Sequence, residues 1–301
     1  MRSVFRLKHL PATNGRRLNG QEGRDEIAAL VICGKMQRGG ETNVGISLQD
    51  KIVFITGASA GIGAATALEF ARQGAKLLLC ARRLEVLQQM EASLRDAGAA
   101  DVFNFELDVQ DRNGVLSALT ALPAEWKNVD VLVNNAGLSR GLVKLYSDEI
   151  DDWEEMIDTN IKGLLYVTRA IVPGMVERGH GHIINLGSIA GHFAYANGGV
   201  YCATKAAEGF ITDGLRIDLN GTPLRVTSID PGMVKTDFAK VRFRGNEDRA
   251  AQVYANVDPL LPEDVADAIV WAATRPSHVQ IQTVLMTCVA QANPFVMTRK
   301  Q

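Results

Sequence analysis

Short apolar runs alternate with longer segments of helical periodicity from about residue 50 onward. The first run, residues 51–56, is rich in β-branched residues, which is typical of a strand buried on both faces of a parallel sheet. Helical segments include 64–73, a long helix over 153–178 bent near Pro173, and a helix opened by Pro262. Further strands are predicted at 76–80, 102–107, 129–133, 182–186, 226–229 and 281–286. This alternation predicts an α/β fold of the Rossmann type, doubly wound, with a seven-stranded, mostly parallel sheet and helices on both faces.

Residues 1–48 do not share this pattern. Five basic residues precede the first acid, Glu22, and glycines recur along the segment. We therefore divide the chain into an N-terminal extension, 1–48, and a single domain, 49–301. Two interpretations of the extension stay open. A disordered segment would leave the protein in the cytoplasm, whereas an arginine-rich presequence would direct it to mitochondria.

Composition narrows the classes of function. The formal net charge of −2 argues against a broadly cationic surface for nucleic acid or membranes. No apolar run approaches the roughly 18 residues of a membrane span. The four cysteines show neither a Cys-x-x-Cys pair nor zinc-site spacing. We expect no nucleic-acid partner, no membrane partner and no metal.

A glycine-rich turn joins the first strand to the following helix. Its sequence is Gly57-Ala-Ser-Ala-Gly61-Ile-Gly63. Glycines let the backbone approach a pyrophosphate, and the helix N-terminus supplies amide donors. The spacing differs from Gly-x-Gly-x-x-Gly, and no Gly-Lys-Ser/Thr is present for a P-loop. The strand and the helix that flank the turn make a dinucleotide site the favoured interpretation.

The end of the second strand bears on the choice of cofactor. An acid at this point binds a free ribose 2′-hydroxyl, whereas arginine accommodates a 2′-phosphate. Here Arg82 and Arg83 follow the strand, and no acid occurs before Glu85. Because guanidinium groups suit phosphate geometry, we predict NADP(H) rather than NAD(H). The alternative is that both arginines belong to a solvated first turn of the next helix.

Tyr201 and Lys205 are four residues apart in a helical segment that follows a glycine-rich stretch. Residues i and i+4 share one helix face, so both side chains can reach the same small volume. A nearby ammonium favours the phenolate and brings tyrosine toward the working range of a general acid or base. Taken alone, the pair could also be a half-buried tyrosine beside a solvated lysine.

Six motifs that occur in order favour a dinucleotide site and a catalytic Tyr201–Lys205 pair over the alternative interpretations. They are Thr56-Gly-Ala-Ser-Ala-Gly-Ile-Gly63, Asn134-Asn-Ala-Gly137, Asn160, Ser188, Tyr201-x-x-x-Lys205 and Pro231-Gly232. The chain resembles the short-chain dehydrogenase/reductase superfamily over roughly residues 48–290. Four further stretches resemble the NADP-dependent 3-hydroxy acid dehydrogenase group, which acts on serine, allo-threonine and related acids. These stretches are Met156-Ile-Asp-Thr-Asn-Ile-Lys-Gly163, Pro173-Gly-Met-Val-Glu-Arg178, Gly181-His-Ile-Ile-Asn185 and Val241-Arg-Phe-Arg-Gly245.

The resemblance implies a catalytic set of four residues. Tyr201 would be the general acid in carbonyl reduction and the general base in alcohol oxidation. Ser188 would hold the substrate oxygen against Tyr201, and Lys205 would stabilise the phenolate and bind the nicotinamide ribose. Asn160 would hold a water in a proton relay to Lys205.

The resemblance also implies a cofactor site and a homo-oligomer, either a dimer or a tetramer. Asp108 could accept a hydrogen bond from the adenine amine, or cap the helix that starts near Asp111. The backbone near Val234 would bind the carboxamide. The full cofactor set is Gly57, Ser59, Gly61, Ile62, Gly63, Arg82, Arg83, Asp108, Val109, Asn135, Ala136, Gly137, Tyr201, Lys205, Pro231, Gly232, Val234 and Thr236.

Three positions depart from the pattern that the resemblance leads us to expect. Ala60 stands where some NADP-using relatives carry a basic residue, so Arg82 and Arg83 would bear the phosphate alone. Arg140 and His192 differ from the closer group, and we expect both to border the substrate pocket. These two departures leave the identity of the substrate open.

Residues 237–260 are predicted to form a mobile lid. Four basic residues lie in this segment, and an arginine among them could clamp a substrate carboxylate. The alternative is a solvated loop whose charges are compensated by acids. The basic residues are Lys240, Arg242, Arg244 and Arg249.

Three functions are compatible with these features. The first is NADP(H)-dependent interconversion of an alcohol and a carbonyl on small 3-hydroxy acids. The second is NADPH-dependent reduction of bulkier ketones or secondary metabolites, for which His192, Phe193 and Tyr195 would line a wider pocket. The third is a non-catalytic NADP-binding sensor on the same fold. The complete set of four catalytic residues argues against the sensor, which would need the nucleotide turn but no tyrosine.

Overall fold

A single parallel sheet organises the protein. The computed structural model describes residues 45–300. All seven strands pair in parallel, in the order β3-β2-β1-β4-β5-β6-β7. The predicted strands are confirmed, with bounds that shift by at most two residues. They are β1 Ile52–Thr56, β2 Lys76–Ala81, β3 Asp101–Glu106, β4 Val131–Asn134, β5 His182–Leu186, β6 Arg225–Pro231 and β7 Thr283–Met286.

Helices connect the strands. The α-helices are α1 Gly61–Arg72, α2 Leu84–Asp96, α3 Arg112–Ala121, α4 Ile150–Ile157, α5 Leu164–Arg178, α6 Gly199–Asp218, α7 Phe238–Arg242, α8 Glu247–Tyr254 and α9 Pro262–Ala273. Short 3₁₀ segments occur at Ala124–Trp126, Leu145–Ser147 and Ile189–Gly191. The chain leaves β3 at one edge of the sheet and returns to β4, beside β1. This reversal of strand order opens a crevice at the carboxyl ends of the strands, where open α/β sheets bind their ligands.

The apolar runs of the central strands are buried on both faces of the sheet. Successive side chains of a strand point to opposite faces. Val53 and Ile55 therefore belong to one core cluster, and Ile52 and Phe54 belong to another. Because both faces are covered, β1, β2 and β4 are almost continuously apolar instead of alternating.

The domain includes a few residues before the first strand. The amide of Ile46 donates to the carbonyl of Thr274 at 2.9 Å, and Leu48 is buried in the core. The predicted extension otherwise falls on residues 1–44, which lie outside the described part of the chain. Within the described part, no helix is both long enough and apolar enough to cross a membrane.

The long helix predicted over 153–178 is interrupted. The segment Asp158–Gly163 between α4 and α5 is a π-helical turn, and Pro173 lies inside α5. The irregularity therefore lies ten residues or more before the proline that was expected to cause it. Gly163 allows the π turn to pack closely on Val109, because a Cβ at this position would lie 2.7 Å from a methyl of Val109. The π turn thus packs closely against the segment that follows β3.

Candidate active site

A cavity of about 490 Å³ lies at the carboxyl ends of the strands. It brings together all but two of the residues predicted for catalysis and cofactor binding; the two outside its lining are Gly63 and Asn160. The predicted residues that line it are Gly57, Ser59, Gly61, Ile62, Arg82, Arg83, Asp108, Val109, Asn135, Ala136, Gly137, Ser188, Tyr201, Lys205, Pro231, Gly232, Val234 and Thr236.

The glycine turn forms one end of this cavity. Gly57 and Gly61 have φ values of +64° and +53°, a conformation that side chains rarely adopt. A Cβ on Gly63 would lie 2.5 Å from both the Asn135 Nδ2 and the Gly57 carbonyl oxygen. No side chain caps α1 at Ala60, so the first amides of the helix remain available as donors. Bare backbone and unused amides fit the pyrophosphate of a dinucleotide.

Asn135 holds the glycine turn against β4. Its Nδ2 donates to the carbonyl oxygens of Thr56 and Gly57, at 2.9 and 3.1 Å. The hydroxyl of Thr56 accepts from the amides of Asn135 and Ala136. This asparagine therefore binds the end of a neighbouring strand and the glycine turn, and it lines the cavity.

Arg82 and Arg83 lie at the rim of the cavity, directly after β2. Both side chains are exposed. Arg83 Nη2 donates to the Ser59 hydroxyl at 3.1 Å, which brings it next to the glycine turn. Among the residues from 45 to 300, neither arginine forms an ion pair with a carboxylate. Two uncompensated guanidinium groups at this rim fit a phosphate on the adenosine ribose.

Asp108 does not cap the next helix. Its Oδ1 accepts from the amide of Gln110 at 3.0 Å. The N-cap of α3 is Asp111, whose carboxylate accepts from the amide of Asn113 at 3.0 Å. The capping alternative for Asp108 was therefore wrong, and its carboxylate lies in the lining of the cavity.

Tyr201 and Lys205 project from α6 into the same cavity. Both are largely buried. Lys205 Nζ donates to the carbonyl oxygen of Leu186 at 2.6 Å and to Glu208 Oε2 at 2.7 Å. Burial disfavours the ammonium, but nearby negative charge, chiefly that of Glu208, outweighs it, and the pKa of Lys205 is raised. The lysine is therefore a fixed positive charge beside the tyrosine.

Asn160 lies behind this pair, in the π turn. Its Oδ1 accepts from the amide of Leu138, and its Nδ2 donates to the Leu138 carbonyl, both at 2.9 Å. Nδ2 also donates to the hydroxyl of Thr204 at 3.0 Å. The side chain thus links the segment after β4 to α6, next to Lys205. A π turn at this point supports such an inward-facing polar group.

Ser188 is two residues beyond the end of β5. Its hydroxyl accepts from the amide of Ala190 at 3.1 Å, which caps a short 3₁₀ helix, and it donates to the Pro231 carbonyl at 3.5 Å. The first bond fixes the position of the hydroxyl. The second is long, so the hydroxyl can turn toward a ligand oxygen in the cavity it lines.

Arg242, at the end of α7, lies over the ring of Tyr201. Its Cζ is 5.3 Å from the centroid of that ring and 5.1 Å from that of Phe238. Nε donates to the Ser139 hydroxyl at 3.0 Å, and Nη2 donates to the Tyr195 hydroxyl at 3.1 Å. Within the described chain this guanidinium has hydroxyl partners but no carboxylate partner.

Other basic side chains of the predicted lid are already engaged. The segment 237–260 contains α7 and α8. Lys240 pairs with Glu247 at 2.6 Å, and Arg244 pairs with the largely buried Asp152. Arg249 stacks on Phe243, with its Cζ 4.3 Å from the ring centroid. Arg242 is therefore the member of this group that lies over Tyr201, and within the described chain it forms no ion pair with a carboxylate.

Two residues that were expected at the substrate pocket lie elsewhere. Arg140 binds Glu155 through two hydrogen bonds of 2.6 Å, and these bonds lower the pKa of Glu155. His192 Nε2 is 2.6 Å from Asp230 Oδ2 and borders a separate cavity of about 80 Å³. Neither side chain lines the main cavity, so the expectation that both border it was wrong.

Comparison with known proteins is consistent with this geometry. Residues 51–247 match the family model described as short chain dehydrogenase. The NADP-dependent 3-hydroxy acid dehydrogenase YdfG of Escherichia coli O6:H1 is 49% identical over 251 residues, which cover 83% of this chain and all of that protein. The NADP-dependent 3-hydroxy acid dehydrogenase of Schizosaccharomyces pombe is 40% identical, over 84% of this chain and 98% of that one.

A solved structure resembles the protein in the same way. The closed form of a serine dehydrogenase complexed with NADP⁺ has a TM-score of 0.78 and 47% identity, and covers 83% of this chain and all of its own. The region that matches the family model contains β1 to β6, the glycine turn and α6. The chain belongs to the short chain dehydrogenase family.

Proposed function

We propose that the protein is an NADP(H)-dependent dehydrogenase that interconverts the alcohol and the carbonyl of small 3-hydroxy acids such as serine or allo-threonine. The observation that carries the proposal is the position of Arg242, an arginine without a carboxylate partner stacked over Tyr201. A 3-hydroxy acid has its hydroxyl and its carboxylate three bonds apart, so neighbouring groups can hold both. The relatives named above carry the same activity in their names.

The residues that would hold the cofactor are those around the cavity. The glycine turn and the first amides of α1 would bind the pyrophosphate. Arg82 and Arg83 would bind the 2′-phosphate, and the backbone near Val234 would bind the carboxamide with help from Thr236. When bound, the nicotinamide accepts or supplies the hydride.

Side chains of the protein would transfer the proton. In oxidation, Tyr201 takes the proton of the substrate hydroxyl; in reduction, it returns a proton to the developing alkoxide. Ser188 orients the same oxygen from the side of β5. Lys205 and Arg242 both favour the phenolate, since each places a positive charge near the ring. Asn160 keeps Lys205 aligned by binding Thr204, the preceding residue on α6.

The test of this proposal is a set of initial rates. NADP⁺ reduction is followed with L-serine, L-allo-threonine and 3-hydroxypropionate, and each assay is repeated with NAD⁺ and with the methyl ester of the acid. We expect turnover with NADP⁺ and a strong preference for the free acid. Equal rates on acid and ester would reject the 3-hydroxy acid and favour reduction of bulkier ketones. Binding of NADPH with no turnover of any alcohol or carbonyl would favour the sensor.

Cofactor choice is expected to depend on the arginine pair. Replacing both Arg82 and Arg83 with alanine should lower kcat/KM for NADP⁺ by about 100-fold, because two charge-assisted contacts to phosphate are lost. The value for NAD⁺ should change little, since NAD⁺ has no 2′-phosphate. Arg72→Ala is the matched control, because Arg72 is exposed on α1 and pairs with Glu69. An equal loss with both cofactors would place the arginines outside the phosphate site.

We also propose that the protein is a cytoplasmic homo-oligomer, a dimer or a tetramer. Phe210 and Ile217 on α6 are 81% and 74% exposed, and α6 thus presents apolar side chains that a second copy could cover. Sedimentation velocity at micromolar concentration would reject the oligomer if it found a monomer. Cell fractionation tests the location.

A further inference from the structure

Glu208 is a buried acid one turn beyond Lys205 on α6. Its side chain is about 3% exposed, and that of Lys205 is 7% exposed. Oε2 accepts from Lys205 Nζ at 2.7 Å, whereas Oε1 is buried and has no hydrogen-bond partner in the described chain. A pair at this spacing on a helix surface is common and contributes little. A carboxylate that is buried with one oxygen unsatisfied needs another explanation.

The partners of the Lys205 ammonium show what Glu208 does. An ammonium has three N–H donors. One donates to the Leu186 carbonyl and one to Glu208, which leaves one for the cavity that Lys205 lines. Glu208 and Leu186 therefore both hold Nζ and leave the remaining donor for the cavity.

The same contact sets the charge beside Tyr201. Burial raises the pKa of Glu208 to about 7, although the Lys205 charge opposes the rise. Glu208 in turn is the main attraction that raises the pKa of Lys205 against its own burial. Both pKa values of the pair are thus raised.

We propose that Glu208 is the counter-ion that positions the Lys205 ammonium and offsets part of its positive charge beside Tyr201. This role rests on the proposed dehydrogenase function. Glu208 acts through Lys205 and is therefore a positioning residue.

Other charges face this pair and remain unchanged in the test. Asp230 on β6 is buried near Glu208 and is bound by His192 from the adjoining 3₁₀ helix. Arg242 on α7 lies over the Tyr201 ring, with its Cζ 5.3 Å from the ring centroid. With these groups constant, an ionised Glu208 opposes formation of the phenolate. Removing its charge should therefore ease phenolate formation.

The test is the pH dependence of alcohol oxidation in Glu208→Gln. Glutamine keeps the length and an acceptor oxygen for Lys205 but removes the charge. We expect the midpoint of the kcat/KM profile to move to lower pH by about one unit. The matched control is Asp218→Asn, the loss of a carboxylate from the same helix at an exposed acid that lines neither cavity, which should not shift the midpoint. A lower rate with an unshifted midpoint, or a shift to higher pH, would overturn the proposal.

A second measurement needs neither turnover nor the variant's folding. In the unliganded wild-type protein, the infrared carbonyl band of a protonated carboxyl should disappear as pH rises from about 6 to about 8, because ordinary carboxyl groups are already ionised at pH 6. A band that persists to about pH 9 would overturn the proposal, since a neutral carboxyl cannot be a counter-ion. If the band disappears as expected but the enzyme shows no turnover, the result would reject the proposed dehydrogenase function and not the role of Glu208.

Discussion

Replacing Tyr201 with phenylalanine should lower kcat for alcohol oxidation by about 1000-fold, while binding of NADPH stays nearly unchanged. The substitution removes only the hydroxyl. The ring should keep its contacts with Phe238, whose centroid is 5.6 Å away, and with the Arg242 guanidinium. The loss therefore reports proton transfer and not packing.

The measurement separates chemistry from binding. Single-turnover mixing of enzyme, NADP⁺ and L-serine gives the rate of hydride transfer, and titration with NADPH gives the affinity for the cofactor. Tyr166→Phe is the matched control, because Tyr166 lies on α5 outside the cavity and loses the same hydroxyl. We expect it to behave as wild type.

Two outcomes would contradict this assignment. A tyrosine variant that retains more than about one tenth of wild-type kcat cannot have lost its general acid or base, since such a group contributes at least about 100-fold. A variant that loses NADPH binding and turnover together would show that the Tyr201 hydroxyl is needed to bind the cofactor, so the loss of rate could not be assigned to proton transfer.

The strands and the ends of the strands were predictable from the sequence. A strand buried on both faces, such as Ile52–Thr56, is apolar along most of its length, and such a run is recognisable in the sequence. The residues directly after such strands must meet at one edge of the sheet. Ser188 follows β5 and Arg82 follows β2, so their presence at one cavity follows from topology alone.

The π turn could not be predicted, because one extra residue in a turn barely changes an apolar periodicity. We expected a bend at Pro173 because proline usually interrupts a helix, but α5 continues through this residue. What holds the turn at Asp158–Gly163 is tertiary contact: Asn160 binds Leu138, and Gly163 packs on Val109. Neither partner is close in sequence.

The roles of the charged residues also needed the structure. Arg242 and Arg244 are alike in sequence, but only the structure shows that Arg244 pairs with Asp152, more than 90 positions earlier. Glu208 was overlooked for a related reason. An acid three residues after a lysine is typical of a solvated helix face, and only its burial changes that interpretation.

Replacing Arg242 with glutamine should lower kcat/KM for L-serine or 3-hydroxypropionate by about 100-fold, the range expected for loss of a charge-assisted contact to a carboxylate. Most of the change should be in KM, because the carboxylate is bound alike in the ground state and the transition state. The methyl esters of the same acids carry no carboxylate and should lose much less.

The comparison of acid with ester makes this prediction specific. Arg242 also stacks on Tyr201 and binds Ser139 and Tyr195, so a glutamine variant could disturb the site in general. Such a disturbance would lower the rates on acid and ester alike, and this result would contradict the carboxylate clamp. Arg249→Gln is the matched control, because Arg249 belongs to the same segment but stacks on Phe243. Its kinetics should match wild type on both substrates, which would assign the carboxylate preference to Arg242 and not to the positive charge of the segment.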